Sequence, residues 1–212
     1  MLQIKNLTLT HKKDLREILG DFSCVFNNGD KAVIIGEEGN GKSTLLKWLY
    51  DPFMVEEYCE TEGERLISGE ILGYLAQELP KEDQQKSVYE FFSEQESFWN
   101  QTPKELNQKA VKFHIAPDFF YREQQMSTLS GGQKAKVLLL KMSLSNANVL
   151  ILDEPTRNFS PLSGPVIRQM LAAFPGAIIS ISHDRKYIGE VCEKVYRLET
   201  CGLVKTNLQS EG

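Results

Sequence analysis

A short apolar run, Ala32–Ile35, leads directly into Gly36-Glu37-Glu38-Gly39-Asn40-Gly41-Lys42-Ser43 and then a helical stretch from about Lys42 to Tyr50. A strand, a glycine-rich loop and a helix in that order leave few folds open. Consecutive apolar residues without alternation mark a strand buried on both faces, as in a parallel sheet. Gly36, Gly39 and Gly41 let the backbone wrap where a Cβ would clash. Successive N–H groups and a helix N-terminus can then surround an anion. The GxxxxGKS spacing is that of a phosphate-binding loop. Lys42 reaches the β- and γ-phosphates, the Ser43 hydroxyl suits Mg²⁺, and Glu37, Glu38, Asn40 and Thr44 complete the loop and its exit.

The remaining pattern alternates short strands with helices, which implies an α/β fold with a mainly parallel sheet. Leu2–Leu9 and Phe22–Phe26 alternate apolar and polar residues, and Asn27-Asn28-Gly29-Asp30 is a turn signal. Asp51-Pro52 closes the first helix. Residues 53–70 carry Glu56, Glu57, Glu60, Glu62 and Glu64 and read as a solvated, irregular loop. Ile71–Ala76 is the next expected strand, followed by Val149–Leu152, Ala177–Ile181 and Val195–Leu198. Helices are expected at about Gln133–Ser145 and Pro165–Ala173. Residues 80–128 are helical and polar, with a helix start at Thr102-Pro103-Lys104-Glu105: a threonine cap, proline at the first position and glutamate three residues after the cap.

At 212 residues the chain is one domain with room for a subdomain, and 41% hydrophobic with 25% charged residues is a globular composition. The net charge of -5 argues mildly against broad nucleic-acid binding, which rewards clustered positive charge. Cys24, Cys59, Cys192 and Cys201 are scattered and read as reduced thiols rather than zinc ligands or disulfides. No signal peptide is apparent at the N-terminus. Nor does any segment approach the roughly 20 apolar residues of a membrane span. These features point to a cytoplasmic protein with no direct membrane insertion.

A second chemical motif is Val149-Leu150-Ile151-Leu152-Asp153-Glu154. A buried strand ending in Asp153 delivers a carboxylate to an Mg²⁺ shell, and Glu154 beside it can polarise an attacking water. Twenty residues upstream lies Leu129-Ser130-Gly131-Gly132-Gln133. With the phosphate loop, this combination resembles the ATP-binding-cassette (ABC) ATPases over essentially the full length of the chain.

That resemblance implies a P-loop NTPase fold: a mainly parallel core sheet, an antiparallel β element and an inserted helical subdomain. The core would span about 1–79 and 129–212, and the subdomain about 80–128. Gln77, in Gly73-Tyr74-Leu75-Ala76-Gln77-Glu78, matches a glutamine that contacts Mg²⁺ and links the subdomain to the site. Ser130, Gly131, Gly132 and Gln133 match the signature that binds the ATP of an opposite cassette. His183, in Ser182-His183-Asp184-Arg185, matches a histidine that touches the γ-phosphate. The resemblance implies ATP and Mg²⁺ as cofactors and a second cassette as partner, either as a homodimer or within a longer chain. His114 reads as structural.

Two positions depart from the family pattern. His11 stands where an aromatic residue usually stacks on adenine, and offers less stacking area than tyrosine. Ser160 stands where an aspartate usually helps couple the two sites of the dimer. Arg157, nearby, is read as a surface arginine or as a substitute in that coupling. The phrases at 73–78 and 182–185 are most similar in wording to the ABC-F branch, the ATPases of translation and antibiotic resistance. A nucleotide-binding subunit of a membrane transporter and an ATP-dependent dimerisation switch are the alternatives. The corresponding partners are the ribosome or a transporter membrane domain. DNA-repair relatives require a long coiled-coil insertion that these residues lack.

Overall fold

The computed structural model describes residues 1–76, 79–113, 115–157, 164–199 and 202–206. The first third of the chain runs β1 (Leu2–His11), β2 (Glu17–Phe26), β3 (Lys31–Ile35), α1 (Lys42–Tyr50), β4 (Cys59–Ile67) and β5 (Leu72–Leu75). Five helices follow: α2 (Lys81–Gln85), α3 (Val88–Ser93), α4 (Glu96–Trp99), α5 (Pro103–Lys112) and α6 (Gly131–Leu144). The chain continues through β6 (Val149–Asp153), α7 (Gly164–Ala172), β7 (Ala177–Ile181), α8 (Arg185–Val191), β8 (Lys194–Glu199) and β9 (Gly202–Thr206).

The strands form two sheets. One is six-stranded in the order β5-β6-β7-β3-β8-β9, parallel except for the β8–β9 pair. The other is antiparallel, in the order β2-β1-β4. Every residue of β6 and β7 is buried. Alternate residues of these strands therefore feed two cores. Leu150, Leu152 and Ile178 join the core under the helices, while Ile151, Ile179 and Ile181 pack with α1 and the antiparallel sheet. That double burial explains why the apolar runs show no period.

The acidic stretch expected as a loop is in part a strand. Within residues 53–70, β4 runs antiparallel to β1, pairing Leu2 with Ile67 and His11 with Cys59. Its glutamates are tolerated because β4 is an edge strand, held by main-chain bonds to β1 with much of its surface solvated. A bulge shifts the register between Lys5 and Thr8. Opposite it, Gly63 has φ +106°, and a Cβ there would come within 2.5 Å of the Asn6 carbonyl oxygen. Only glycine fits that close approach. The bulge also re-phases β1, so that Leu2 and Ile4 before it and Leu7 and Leu9 after it all face the core.

The helix starts follow their sequence signals. Thr102 and Glu105 form the expected capping box at α5, and Ser87 with Glu90 forms another at α3. The helices between β5 and α6 bury Phe91, Phe92, Phe98 and Phe120 against one another; Phe92 and Phe120 meet edge-on at 4.8 Å between ring centroids. Among the described residues no helix is long and apolar enough to cross a membrane. Cys24, Cys59 and Cys192 are free thiols, while Cys201 and His114 lie outside the described residues.

Candidate functional site

The parallel strands β3, β6 and β7 are neighbours through β7, so their carboxyl ends open on the same edge of the sheet. Ligand crevices of α/β sheets lie at such an edge. From β3 the chain enters the glycine loop. From β6 it delivers Asp153 and Glu154, and from β7 it delivers His183 two residues past Ile181. His11, Glu38, Gly39, Gly41, Lys42, Ser43, Thr44, Asp153, Glu154 and His183 thus line one cleft of about 540 Å³. Gly36, Glu37 and Asn40 line an adjoining cavity of about 800 Å³ across the loop, which His183 also borders.

The loop is braced from three directions. Lys42 Nζ donates to the carbonyls of Gly36 (2.8 Å) and Glu37 (2.5 Å) and to Asn40 Oδ1 (3.1 Å). Asn40 Nδ2 donates to the Leu198 carbonyl at 3.4 Å, tying the loop to β8. Both terminal nitrogens of Arg16 donate to the Gly39 carbonyl at 3.3 Å. Gly41, the N-cap of α1, has φ +99°, and a Cβ there would collide with the Ile18 side chain. Burial lowers the Lys42 pKa, and the negative charges of Glu154, Glu38, Asp153 and Glu37 oppose that shift.

Asp153 is 4% exposed, and the Ser43 hydroxyl donates a hydrogen bond to its carboxylate. Burial raises its pKa despite that bond and the nearby Lys47, Lys42 and Arg157. Glu154 is raised by burial as well, against the lowering influence of His183, whose backbone N–H its carboxylate accepts. His183 Nε2 stands 3.8 Å from Glu154 Oε1. Glu154 also has φ +52°, an uncommon backbone for a non-glycine residue, held by its N–H donating to the Ile181 carbonyl at 3.0 Å.

These shifts give a signed expectation for stability. Folding raises the Asp153 pKa above its ordinary 3.8, so the folded state binds that proton more tightly than the unfolded chain. The penalty on the folded state is absent below that ordinary value and complete once pH exceeds the raised one. Asp153→Asn is therefore expected to raise the melting temperature of the nucleotide-free protein at neutral pH and to leave it unchanged at strongly acid pH. The scale is about 2–4 °C per kcal/mol for a chain of this size. Thermal melts across pH measure it; an unchanged or lower neutral-pH value shows the carboxylate to be fully compensated.

Ser130, Gly131, Gly132 and Gln133 line neither cavity. They open α6 as a capping box: Ser130 Oγ accepts from the Gln133 N–H at 3.3 Å, and Gln133 Oε1 accepts from the Ser130 N–H at 2.9 Å. Gln77, Ser160 and their neighbours 78, 158–159 and 161–163 lie outside the described residues.

His11 ends β1, its Nδ1 2.9 Å from Asp14 Oδ1 and its ring tilted 48° to Tyr58 at 6.4 Å. Tyr58 and Arg16 belong to the cleft wall but to no sequence motif. Tyr58 precedes β4 within the stretch read as loop, and its hydroxyl is hydrogen-bonded to Thr44.

A family description, "ABC transporter", matches residues 19–157 of this architecture. The chain belongs to the ABC transporter ATP-binding family. This ABC chain is 30% identical over 203 residues to the putative ATP-binding protein YdiF of Bacillus subtilis (strain 168), covering 94% of itself and 30% of that protein. It is 28% identical to the ATP-binding protein Uup of Buchnera aphidicola subsp. Schizaphis graminum, covering 99% and 34% respectively. It is 29% identical to a probable ATP-binding cassette sub-family F member 3 homolog of Encephalitozoon cuniculi, covering 86% and 31%. The chain thus spans about a third of the length of these curated relatives. In fold it matches the ATP-binding cassette MJ0796, solved as a dimer in a post-hydrolysis state with ADP and Pi. That match has a TM-score of 0.78 and 20% identity, over 99% of this chain and 100% of that one. The ABC cassette fold is therefore shared, and its sequence relatives include ABC-F-type proteins.

Proposed function

We propose that this cassette binds and hydrolyses ATP with Mg²⁺, at a site completed by a second cassette. The observation that carries the reading is the convergence of Lys42, Ser43, Asp153, Glu154 and His183 on one cleft. Phosphoryl transfer asks a protein chiefly for positioning and charge stabilisation. In this reading the loop amides and Lys42 hold the phosphates. Glu154, with His183 beside it, aligns the attacking water.

Mg²⁺ fits the residues present. The Ser43 hydroxyl and the Asp153 carboxylate are hard oxygen donors in mutual contact, and Asp153 is a buried negative charge with its pKa raised. Mg²⁺ needs only one or two protein ligands beside phosphate oxygens and water. When bound, the ion supplies charge neutralisation at the β- and γ-phosphate oxygens. Ser43 and Asp153 would hold it, with Gln77 as a further ligand by resemblance. The base would extend along the cleft wall toward His11 and Tyr58.

The position of Ser130–Gln133 away from the cleft supports a shared site, in which one chain's signature serves the other chain's nucleotide. ATPase activity of this chain is accordingly expected to rise more steeply than linearly with protein concentration while monomer dominates. Phosphate release measured across a dilution series tests this; a strictly linear dependence would sink the shared site.

For the biological role we favour an ABC-F-type ATPase acting in the cytoplasm, either complete or as one cassette of a longer protein. The sub-family F and Uup relatives support it. Co-sedimentation with ribosomes in the presence of ATP tests it, and co-purification with membrane subunits instead would favour the transporter reading.

A further inference from the structure

Beyond Lys42 and Arg16, the cleft has a third cation, Arg157, whose backbone is held by the turn after β6. The Arg157 N–H donates to the Glu154 carbonyl at 3.1 Å, and Glu154 is itself bonded to Ile181 on β7. Pro155 and Thr156, between them, are buried. The Arg157 backbone is thereby tied to the turn that Glu154 holds against β7, while its side chain is exposed on the cleft rim. Its charge is close enough to act on both Asp153 and Glu154.

Charge balance gives this position a purpose. Glu38, Asp153 and Glu154 line the cleft, against the cations Lys42, Arg16 and Arg157. Lys42 is bonded to three oxygens of its own loop, and Arg16 donates to Gly39. A bound triphosphate adds negative charge directly beside Glu154. A guanidinium on that rim offers a planar fork of N–H donors matched to two phosphate oxygens, which an ammonium lacks.

We infer that Arg157 is a catalytic residue acting in cis, its guanidinium donating to oxygens of the γ-phosphoryl group held on the same chain's loop. The inference rests on the ATP-hydrolysis reading above. As the water oxygen bonds to the γ-phosphorus, the bond from that phosphorus to the bridging oxygen breaks, and its electron pair leaves with ADP. Glu154 takes the proton the water loses. Arg157 stabilises the charge that spreads over the equatorial oxygens between these events.

The test compares wild type, Arg157→Ala and Arg157→Lys at protein concentrations saturating for assembly. Three quantities are read: kcat and KM for MgATP, the dissociation constant of a fluorescent ATP analogue, and trapping of MgADP with aluminium fluoride. Arg157→Ala is expected to lower kcat by about 10²–10³-fold, the usual effect of losing one charge-stabilising donor. ATP affinity should hold within about threefold, which is under 1 kcal/mol. Aluminium-fluoride trapping should be lost, and Arg157→Lys should restore only part of kcat. An unchanged kcat overturns the inference. So does a kcat loss matched by an equal loss of ATP affinity, or one abolished by raising protein concentration, which would make Arg157 a partner contact. Absence of phosphate release by wild type would instead remove the ATPase reading itself.

Discussion

Glu154→Gln is expected to abolish steady-state phosphate release while MgATP binding persists. The glutamine amide keeps the size and some hydrogen bonding of the carboxylate, but it carries no charge and takes no proton. Loss of a positioned general base removes about 10²–10⁴-fold in rate. Nucleotide affinity should hold or tighten, because a buried negative charge beside the γ-phosphate disappears. The raised pKa of Glu154 adds a second signature. The ionised form is the working form, so wild-type activity falls as pH drops through a value above the ordinary glutamate 4.5. Any residual activity of the variant should lack that acid limb. Phosphate-release assays across pH, with binding measured in parallel, decide the matter. Near-normal hydrolysis by Glu154→Gln removes Glu154 from its proposed role.

Lys42→Ala is expected to lose tight nucleotide binding. Lys42 is the cation at the centre of the loop, and its bonds to Gly36, Glu37 and Asn40 also brace the loop's shape. The alanine variant removes both charge and brace. Losing one or two charge-assisted hydrogen bonds, at about 1.5–3 kcal/mol each, weakens ATP binding by about 10- to 10⁴-fold. Titration calorimetry with ATP measures it directly. Unchanged affinity would mean that the phosphates do not lie on this loop.

The parts legible in the sequence are those where a local rule acts alone. Ala177–Ile181 is found with the expected bounds, and Thr102 caps α5 as its spacing predicts. The end of the loop, Asp153, Glu154 and His183 fall on one cleft because each lies at or just past the end of a buried parallel strand or its loop. Legibility fails where pairing overrides composition. The glutamates of β4 hide a strand whose stability comes from β1, not from its own apolar pattern. Likewise, among the described residues β9 pairs only with β8, and α8 is a short helix of seven residues. Arg16 and Tyr58 join the cleft through a hairpin turn and a strand entry, so no spacing in the chain announces them.

The capping box at α6 has a consequence for what that helix end can recognise. The Ser130 hydroxyl accepts the Gln133 N–H, and the Gln133 side chain turns back on the Ser130 N–H. The helix therefore occupies acceptor capacity and leaves proton donors outward: the Ser130 O–H and the first-turn amides of Gly131 and Gly132, which have no partner within a helix. An end richer in donors than in free acceptors pairs poorly with its own copy, and it is a poor match for a cation. In the shared site proposed above, such a donor set would suit the oxyanion of the other cassette's nucleotide by valence, before shape is considered at all.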